Sequence, residues 1–268
     1  GEWEKLPPMS AARSSAAVAA LAGRLYICGG SGSLHAGRGQ QPARALRSAE
    51  CFDPACRAWK ALPPMLSPRM LPAAAVVSRR LYLCGGSDLH ALDAAERFNL
   101  AAGAWEWLPP MRRRRAFTSV GVLMGRLYAC GGADSNGALN SAECFEPMSG
   151  RWEAVPPMLQ ARYGAVCATL GSRRIFLCAG CASMHAVSQL DSVESFSPAV
   201  GCWEAFPPMS GIRSIAGAAA VANYLYICGG FRENNVLRSA ERLNLLTGAW
   251  EELPPMTSRR VDSVVVAV

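Results

Sequence analysis

The chain has 268 residues, of which 51% are hydrophobic and 18% are charged, and its formal net charge is +7. This composition excludes an intrinsically disordered protein, which would have few apolar residues and many charges. The apolar runs, such as 73–77, have the length of a strand, whereas a membrane-spanning helix needs about 20 residues. We therefore expect a folded domain with no membrane partner, and the 25 Gly and 18 Pro predict many tight turns.

Four strand-like runs follow one another along the chain and then repeat. The first is apolar and follows an arginine, the second reads Leu-Tyr-x-Cys-Gly-Gly in most copies, and the third has Glu at its third position and ends in Phe or Leu. The fourth carries a tryptophan that is followed four residues later by Pro-Pro-Met, at Trp3, Trp59, Trp105, Trp152, Trp203 and Trp250. Alternation of apolar and polar residues between Gly and Pro predicts strands, and a period near 50 is typical of propeller blades.

The double glycine, the third-strand aromatic residue and the fourth-strand tryptophan together resemble the kelch repeat over the whole chain. One copy has Ala179-Gly180 in place of the glycine pair, and Leu243 replaces the aromatic residue in the last copy. The resemblance implies an all-β kelch propeller with four strands in each blade. We expect a single domain over 1–268 with five complete blades, at about 13–62, 69–108, 115–155, 162–206 and 213–253.

The strand runs do not occur equally often. First-strand and fourth-strand runs each occur six times, whereas the two middle runs occur five times. We expect a six-bladed propeller whose closing blade takes its outer strand from 2–6 and its inner strand from 261–268. Its middle strands are then expected upstream of Gly1, which would make this chain a fragment; a five-bladed ring is the alternative.

Eleven cysteines cannot all be paired in disulfides. Five of them end the second-strand runs, as small buried residues do: Cys28, Cys84, Cys130, Cys178 and Cys228. The cysteines do not form two Cys-x-x-Cys pairs at zinc spacing, so we predict a reduced, intracellular protein located in the cytoplasm. Cys56 and Cys181 differ most from the buried set, and a redox-sensing role for Cys181 is a hypothesis.

An arginine precedes every first strand, and a glutamate recurs in every third strand. The arginines are Arg13, Arg69, Arg115, Arg162, Arg213 and Arg260, and the glutamates are Glu50, Glu96, Glu143, Glu194 and Glu241. We expect partly buried, bidentate Arg–Glu pairs that stabilise the blades, because the guanidinium group matches a carboxylate in this geometry. Ligand binding by these arginines is the alternative.

The loops between second and third strands and those between fourth and first strands share one face, and they differ between blades. In substrate-binding kelch domains, the resemblance implies that the residue after the arginine and the residue after the glycine pair ring the mouth of the central channel. We predict Tyr163, Phe231 and Arg232 as partner-binding anchors. The other predicted partner-binding residues are Ser14, Ser31, His35, Arg38, Ser87, His90, Arg112, Arg113, Arg114, Cys181, His185 and Ser214.

The excess of positive charge favours an acidic peptide as partner, whereas no motif supports nucleic-acid binding. The histidines are dispersed among the blades, so we predict no metal site and no cofactor. Because no phosphate-binding or nucleophile motif occurs, we do not expect an enzyme; a kelch-like metal oxidase is a remote alternative.

The repeat landmarks look most like those of BTB-kelch proteins. The resemblance implies a substrate-recognition domain of a cullin-RING ubiquitin ligase adaptor, with the cullin bound through a domain outside this chain. The alternative is a cytoskeletal, actin-binding or other scaffold kelch protein.

Overall fold

The computed structural model describes residues 6–32, 44–171, 173–183 and 188–262. All regular secondary structure in these residues is β, and the main sheets have four antiparallel strands paired in sequence order. Over the same residues, no helix is long and apolar enough to cross a membrane. The chain divides into two compact units, Gly1–Arg114 and Arg115–Val268.

The first unit contains blades 1 and 2. Blade 1 consists of β1 (Ala17–Leu21), β2 (Arg24–Cys28), β3 (Ala49–Asp53) and β4 (Ala58–Ala61). Blade 2 consists of β5 (Ala73–Val77), β6 (Arg80–Cys84), β9 (Ala95–Asn99) and β10 (Ala104–Leu108), with a small hairpin, β7 (Ser87–Asp88) and β8 (His90–Ala91), between its second and third strands.

The second unit contains blades 3, 4 and 5. Blade 3 consists of β11 (Ser119–Leu123), β12 (Arg126–Cys130), the hairpin β13 (Ala133–Asp134) and β14 (Gly137–Ala138), β15 (Ala142–Glu146) and β16 (Arg151–Val155). Blade 4 consists of β17 (Val166–Leu170), β18 (Arg174–Cys178), β19 (Val193–Ser197) and β20 (Cys202–Phe206). Blade 5 consists of β21 (Gly217–Val221), β22 (Tyr224–Cys228), the hairpin β23 (Phe231–Arg232) and β24 (Asn235–Val236), β25 (Ala240–Asn244) and β26 (Trp250–Leu253).

These strands confirm the prediction of four-stranded propeller blades. The hairpins β7–β8, β13–β14 and β23–β24 were expected only as loops, because two-residue strands are too short to show alternation. Trp3 and almost all of the strands expected at 2–6 and 261–268 lie outside the described residues. A sixth blade therefore stays a prediction.

Neighbouring blades within a unit bury alternate residues of their second strands against each other. In the first unit, Tyr26 and Cys28 of β2 share one apolar core with Leu81 and Leu83 of β6. In the second unit, Phe176 and Cys178 of β18 share a core with Leu225 and Ile227 of β22. Side chains of a strand alternate between its two faces, so one strand serves two inter-blade cores.

The tryptophan of each fourth strand packs within its blade, and four of these tryptophans also bond to the segment that precedes the blade. In four blades its ring centroid lies 5.1 or 5.2 Å from that of the third-strand Phe. Four of these indoles donate from Nε1 to the carbonyl of the first proline in the preceding Pro-Pro-Met: Trp59 to Pro7, Trp105 to Pro63, Trp203 to Pro156 and Trp250 to Pro207. The distances are 2.8 or 2.9 Å, and the last three of these bonds tie adjacent blades together.

None of the eleven cysteines, all of which lie in the described residues, is in a disulfide bond. Four of the five second-strand cysteines are buried as predicted, but Cys228 is only partly buried. Burial raises the pKa of Cys28 and of Cys178 to about 12, so their thiols stay protonated at neutral pH.

Candidate functional site

In every blade, two kinds of connection meet at one end of the sheet: the segment between second and third strands, and the segments that enter the first strand and leave the fourth. We call this end of the sheet the loop end. The two tight turns, which join the first strand to the second and the third to the fourth, lie at the opposite end, which we call the turn end. The recurring arginines lie at the loop end, four residues before each first strand. Their guanidinium groups pair with the third-strand glutamates, in the pairs Arg13–Glu50, Arg69–Glu96, Arg115–Glu143, Arg162–Glu194 and Arg213–Glu241.

These Arg–Glu pairs are almost fully buried, with no side chain more than 4% exposed. In blade 2, Arg69 Nη2 donates to Glu96 Oε1 at 2.7 Å, while Nη1 donates to the carbonyls of Gly85 and Ala94. Glu96 Oε2 accepts a hydrogen bond from the Leu66 N–H, next to the preceding Pro-Pro-Met. The pairs themselves were expected. In this pair, however, only Nη2 donates to the carboxylate while Nη1 donates to main-chain carbonyls, so the predicted bidentate contact is wrong here.

Burial and pairing act in opposite directions on the pKa values of these groups. Desolvation lowers the pKa of Arg69 and Arg213, and their partner glutamates oppose this effect. Desolvation also acts to raise the pKa of Glu50, but hydrogen bonds from Ser10 and Arg13 outweigh it and hold that pKa below its usual value. The arginines are therefore engaged inside the blades, as the structural interpretation predicted.

The two residue groups predicted at the channel mouth form bridges with each other within each blade. The bridged pairs are Ser14–Ser31, Met70–Ser87, Ala116–Ala133, Tyr163–Cys181 and Ser214–Phe231. In blade 4, for example, the Tyr163 N–H donates to the Cys181 carbonyl at 3.0 Å, and the Cys181 N–H donates to the Tyr163 carbonyl at 2.9 Å. The loop end of each blade is thus extended by one main-chain bridge beyond its first strand.

The sequence analysis did not single out the residue two places after each of these arginines. It has a left-handed backbone in every blade: Ser15, Leu71, Phe117, Gly164 and Ile215, with φ between 50° and 58°. These residues also join blades within a unit, because the Leu71 N–H donates to the Ser15 carbonyl and the Ile215 N–H donates to the Gly164 carbonyl. Apart from Gly164, their residue types give no signal of this conformation.

In the second unit, several predicted anchors come together at the loop ends of blades 4 and 5. Tyr163 is half-buried, its ring lies 5.6 Å from that of Phe117, and its hydroxyl donates to the Ser183 carbonyl at 3.1 Å. Phe231 is half-buried and Arg232 is exposed on the β23–β24 hairpin. Gln189, which the sequence analysis did not single out, makes three hydrogen bonds from blade 4 to blade 5.

A polar cleft of about 560 Å³ opens at the loop end of blade 5. Three exposed arginines line it: Arg232, Arg238 and Arg259. The exposed carboxylates among its lining residues are Glu233 and Glu252, while Glu241 is paired with Arg213. A Cβ atom on Gly211 would lie 3.2 Å from Arg232 Nη1, so the absence of a side chain there leaves room for this guanidinium group.

In the first unit, the predicted residues lie at the loop ends of blades 1 and 2. Ser14 and Ser87 are half-buried, whereas His90 and the run Arg112, Arg113 and Arg114 are exposed. Arg114 Nε lies 3.8 Å from Asp93 Oδ2, and both side chains are largely in solvent, so this contact contributes little to stability.

Two predicted contact residues are not available on the surface. Ser31 is 5% exposed and Ser214 is 2% exposed, because their bridges draw them into the fold. Three others, His35, Arg38 and His185, lie outside the described residues.

Within the part of the chain that is described, no group of three or more His, Cys, Asp or Glu side chains could hold a metal ion. Cys181 is half-buried, and Cys56 and Cys202 are exposed.

A family model described as "Kelch motif" matches residues 12–66, 68–112, 114–159 and 213–257. Human Kelch-like protein 33 is 34% identical over 85 residues, 32% of this chain and 14% of that protein. The mouse Influenza virus NS1A-binding protein homolog is 35% identical over 86 residues, 32% of this chain and 12% of that protein. Beta-scruin of Limulus polyphemus is 31% identical over 86 residues, 32% of this chain and 9% of that protein. Each match therefore covers only a small part of the relative's length.

A solved structure described as "Structure of YjhT" superposes with a TM-score of 0.80. The superposition covers 97% of this chain and 88% of that chain, at 16% sequence identity. At this identity the likeness supports the fold alone.

Proposed function

The chain belongs to the Kelch-motif family of β-propellers, and we propose that it binds a short acidic segment of a partner protein at the loop ends of its blades. Kelch-repeat propellers are typical protein-interaction modules, and one of the similar proteins is named for binding influenza virus NS1A. We propose no catalytic activity and no cofactor.

One observation carries this proposal: the residues that recur in every blade are engaged in the scaffold, whereas the exposed residues of the loop ends differ between blades. Arg162 is buried against Glu194, and the indole of Trp203 is bonded to Pro156. By contrast, Arg232 is exposed and has no counterpart in blade 4. Function on a repeated scaffold resides in such differences.

In the second unit, we propose Tyr163, Phe231 and Arg232 as the principal contact residues, beside the cleft that holds Arg238 and Arg259. Aromatic side chains and arginines supply most of the binding energy at protein interfaces. The cleft is lined by three exposed arginines and two exposed glutamates, and this excess of positive charge favours an acidic ligand. In the first unit, the proposal extends to Ser14, Ser87, His90, Arg112, Arg113 and Arg114.

Titration of the purified protein with a glutamate-rich decapeptide tests this proposal. Because exposed charges would contribute much of the affinity, raising the ionic strength from about 0.05 M to 0.3 M should weaken binding roughly tenfold. A lysine-rich decapeptide and a short DNA duplex are the controls, and neither should bind at the higher ionic strength. Tight binding of DNA, or equal affinity for both peptides, would contradict an acidic protein partner.

We further propose that the partner is a substrate of a cullin-RING ubiquitin ligase and that the protein is located in the cytoplasm. The resemblance to BTB-kelch repeats and the similarity to Kelch-like protein 33 support this assignment. Affinity purification of the intact protein from cells tests it, since recovery of a cullin supports the adaptor role. Recovery of actin without a cullin would favour the cytoskeletal alternative instead.

A further inference from the structure

Blade 4 has a polar residue at a position where the other blades have a small apolar one. This position bridges back to the residue after the glycine pair, and it is followed by leucine in every blade. It is occupied by Ala45, Ala91, Ala138, Gln189 and Val236 in blades 1 to 5. A scaffold role common to all blades does not require an amide here, so the amide of Gln189 has a role particular to blade 4.

Gln189 is 9% exposed, and its side-chain amide forms hydrogen bonds with blade 5. Its Nε2 donates to Ser214 Oγ at 3.0 Å and to the Phe231 carbonyl at 2.8 Å. Its Oε1 accepts from the Glu233 N–H at 2.7 Å. Exchanging the amide oxygen and nitrogen would place an acceptor against a carbonyl and a donor against an N–H, so these partners determine the orientation of the amide.

The contact to Glu233 holds a strained point of the β23–β24 hairpin. Glu233 begins the turn and has φ = 53°, in the left-handed region that is uncommon for residues other than glycine. Such a conformation persists only where the surroundings enforce it. Gln189 supplies one of these constraints from the neighbouring blade.

We propose that Gln189 is a positioning residue, which fixes the β23–β24 hairpin against blade 4 so that Phe231, Arg232 and Tyr163 form one preorganised binding surface. This inference rests on the proposed function of that surface as the site for an acidic segment. A surface that is already ordered loses less conformational entropy when a ligand binds, and its affinity is correspondingly higher.

The test is amide hydrogen exchange in Gln189→Met, a variant that conserves the length and apolar volume of the side chain but removes all three hydrogen bonds. We expect the Glu233 amide to exchange about tenfold faster, because it loses its acceptor. Amides in β22 and β25 should be unchanged. Gln160→Met is the matched control, since Gln160 is half-buried and accepts from Ser192 Oγ within the same unit. Unchanged exchange at Glu233 in Gln189→Met would overturn the proposal.

Binding of the glutamate-rich decapeptide separates this inference from the proposed function. If the wild-type protein does not bind the peptide, the proposed function fails. The amide exchange rate of Glu233 would still test whether Gln189 positions the hairpin. If it binds, Gln189→Met should weaken the affinity several-fold while Gln160→Met leaves it unchanged, with similar melting temperatures. Faster exchange at Glu233 with unchanged affinity would contradict a preorganised surface.

Discussion

In blades 1, 2, 4 and 5, the buried Arg–Glu pair joins three parts of the propeller scaffold. In blade 4, Arg162 donates to Glu194 and to the carbonyls of Ala179 and Ser192, and Glu194 accepts from the Leu159 N–H that precedes the blade. Removing one partner of such a pair leaves a buried charge uncompensated, and this costs more than the pair itself contributes. The pair therefore accounts for the arginine in every blade without a ligand.

Arg162→Ala should lower the free energy of unfolding by about 3–5 kcal/mol, because Glu194 would remain buried without its cation. Thermal unfolding followed by circular dichroism measures this. Arg173→Ala is the control: Arg173 is exposed at the turn end of blade 4, and its loss should change stability by no more than about 0.5 kcal/mol. An unchanged melting temperature with lost peptide binding would assign Arg162 to the ligand instead.

Residues that recur in the sequence were predictable, and residues that occur once were not. The Arg–Glu pairs follow from five copies of the same two positions, whereas Gln189 becomes visible only when the leucines that follow it are aligned between blades. The burial of Ser214 was not predictable, since a serine in a loop gives no sign of the bridge that draws it inward. The left-handed backbone of Ile215 has no signature in its residue type either.

At the scale of elements, the fourth strand holds one blade against the preceding one. Trp203 of β20 packs its ring against Phe196 of β19, and its Nε1 donates to the Pro156 carbonyl after β16. The four main strands were predictable because strands of four or five residues are long enough to show alternation. The hairpin β23–β24 was not, since two residues per strand show none.

Trp203→Phe should destabilise the protein by about 1–2 kcal/mol, because it keeps an aromatic ring but removes the donor to Pro156 and some buried volume. Urea unfolding measures the difference. Trp107→Phe is the matched control, because Trp107 is 55% exposed on β10 and its replacement should cost little. Equal destabilisation by the two substitutions would contradict a link between blades through the Trp203 indole.

At the scale of the whole molecule, the sequence is a repeated scaffold with variable loop ends. Repetition predicted the propeller fold and the residues that maintain it, because each blade needs the same contacts with its neighbours. The candidate site was only partly predictable: Tyr163, Phe231 and Arg232 come together in the second unit, but the residue that connects their blades was missed. A binding surface depends on differences between blades, and these do not recur.

The affinity of the glutamate-rich decapeptide for Arg232→Ala, compared with wild type and Arg173→Ala, tests the central claim most directly. Arg232 is exposed at the loop end of blade 5 and Arg173 at the turn end of blade 4, so both variants remove one unit of surface charge. Loss of a charge-assisted contact should weaken binding about tenfold or more in Arg232→Ala, with Arg173→Ala unchanged. Equal affinities in all three proteins would contradict a binding surface at the loop ends of the second unit.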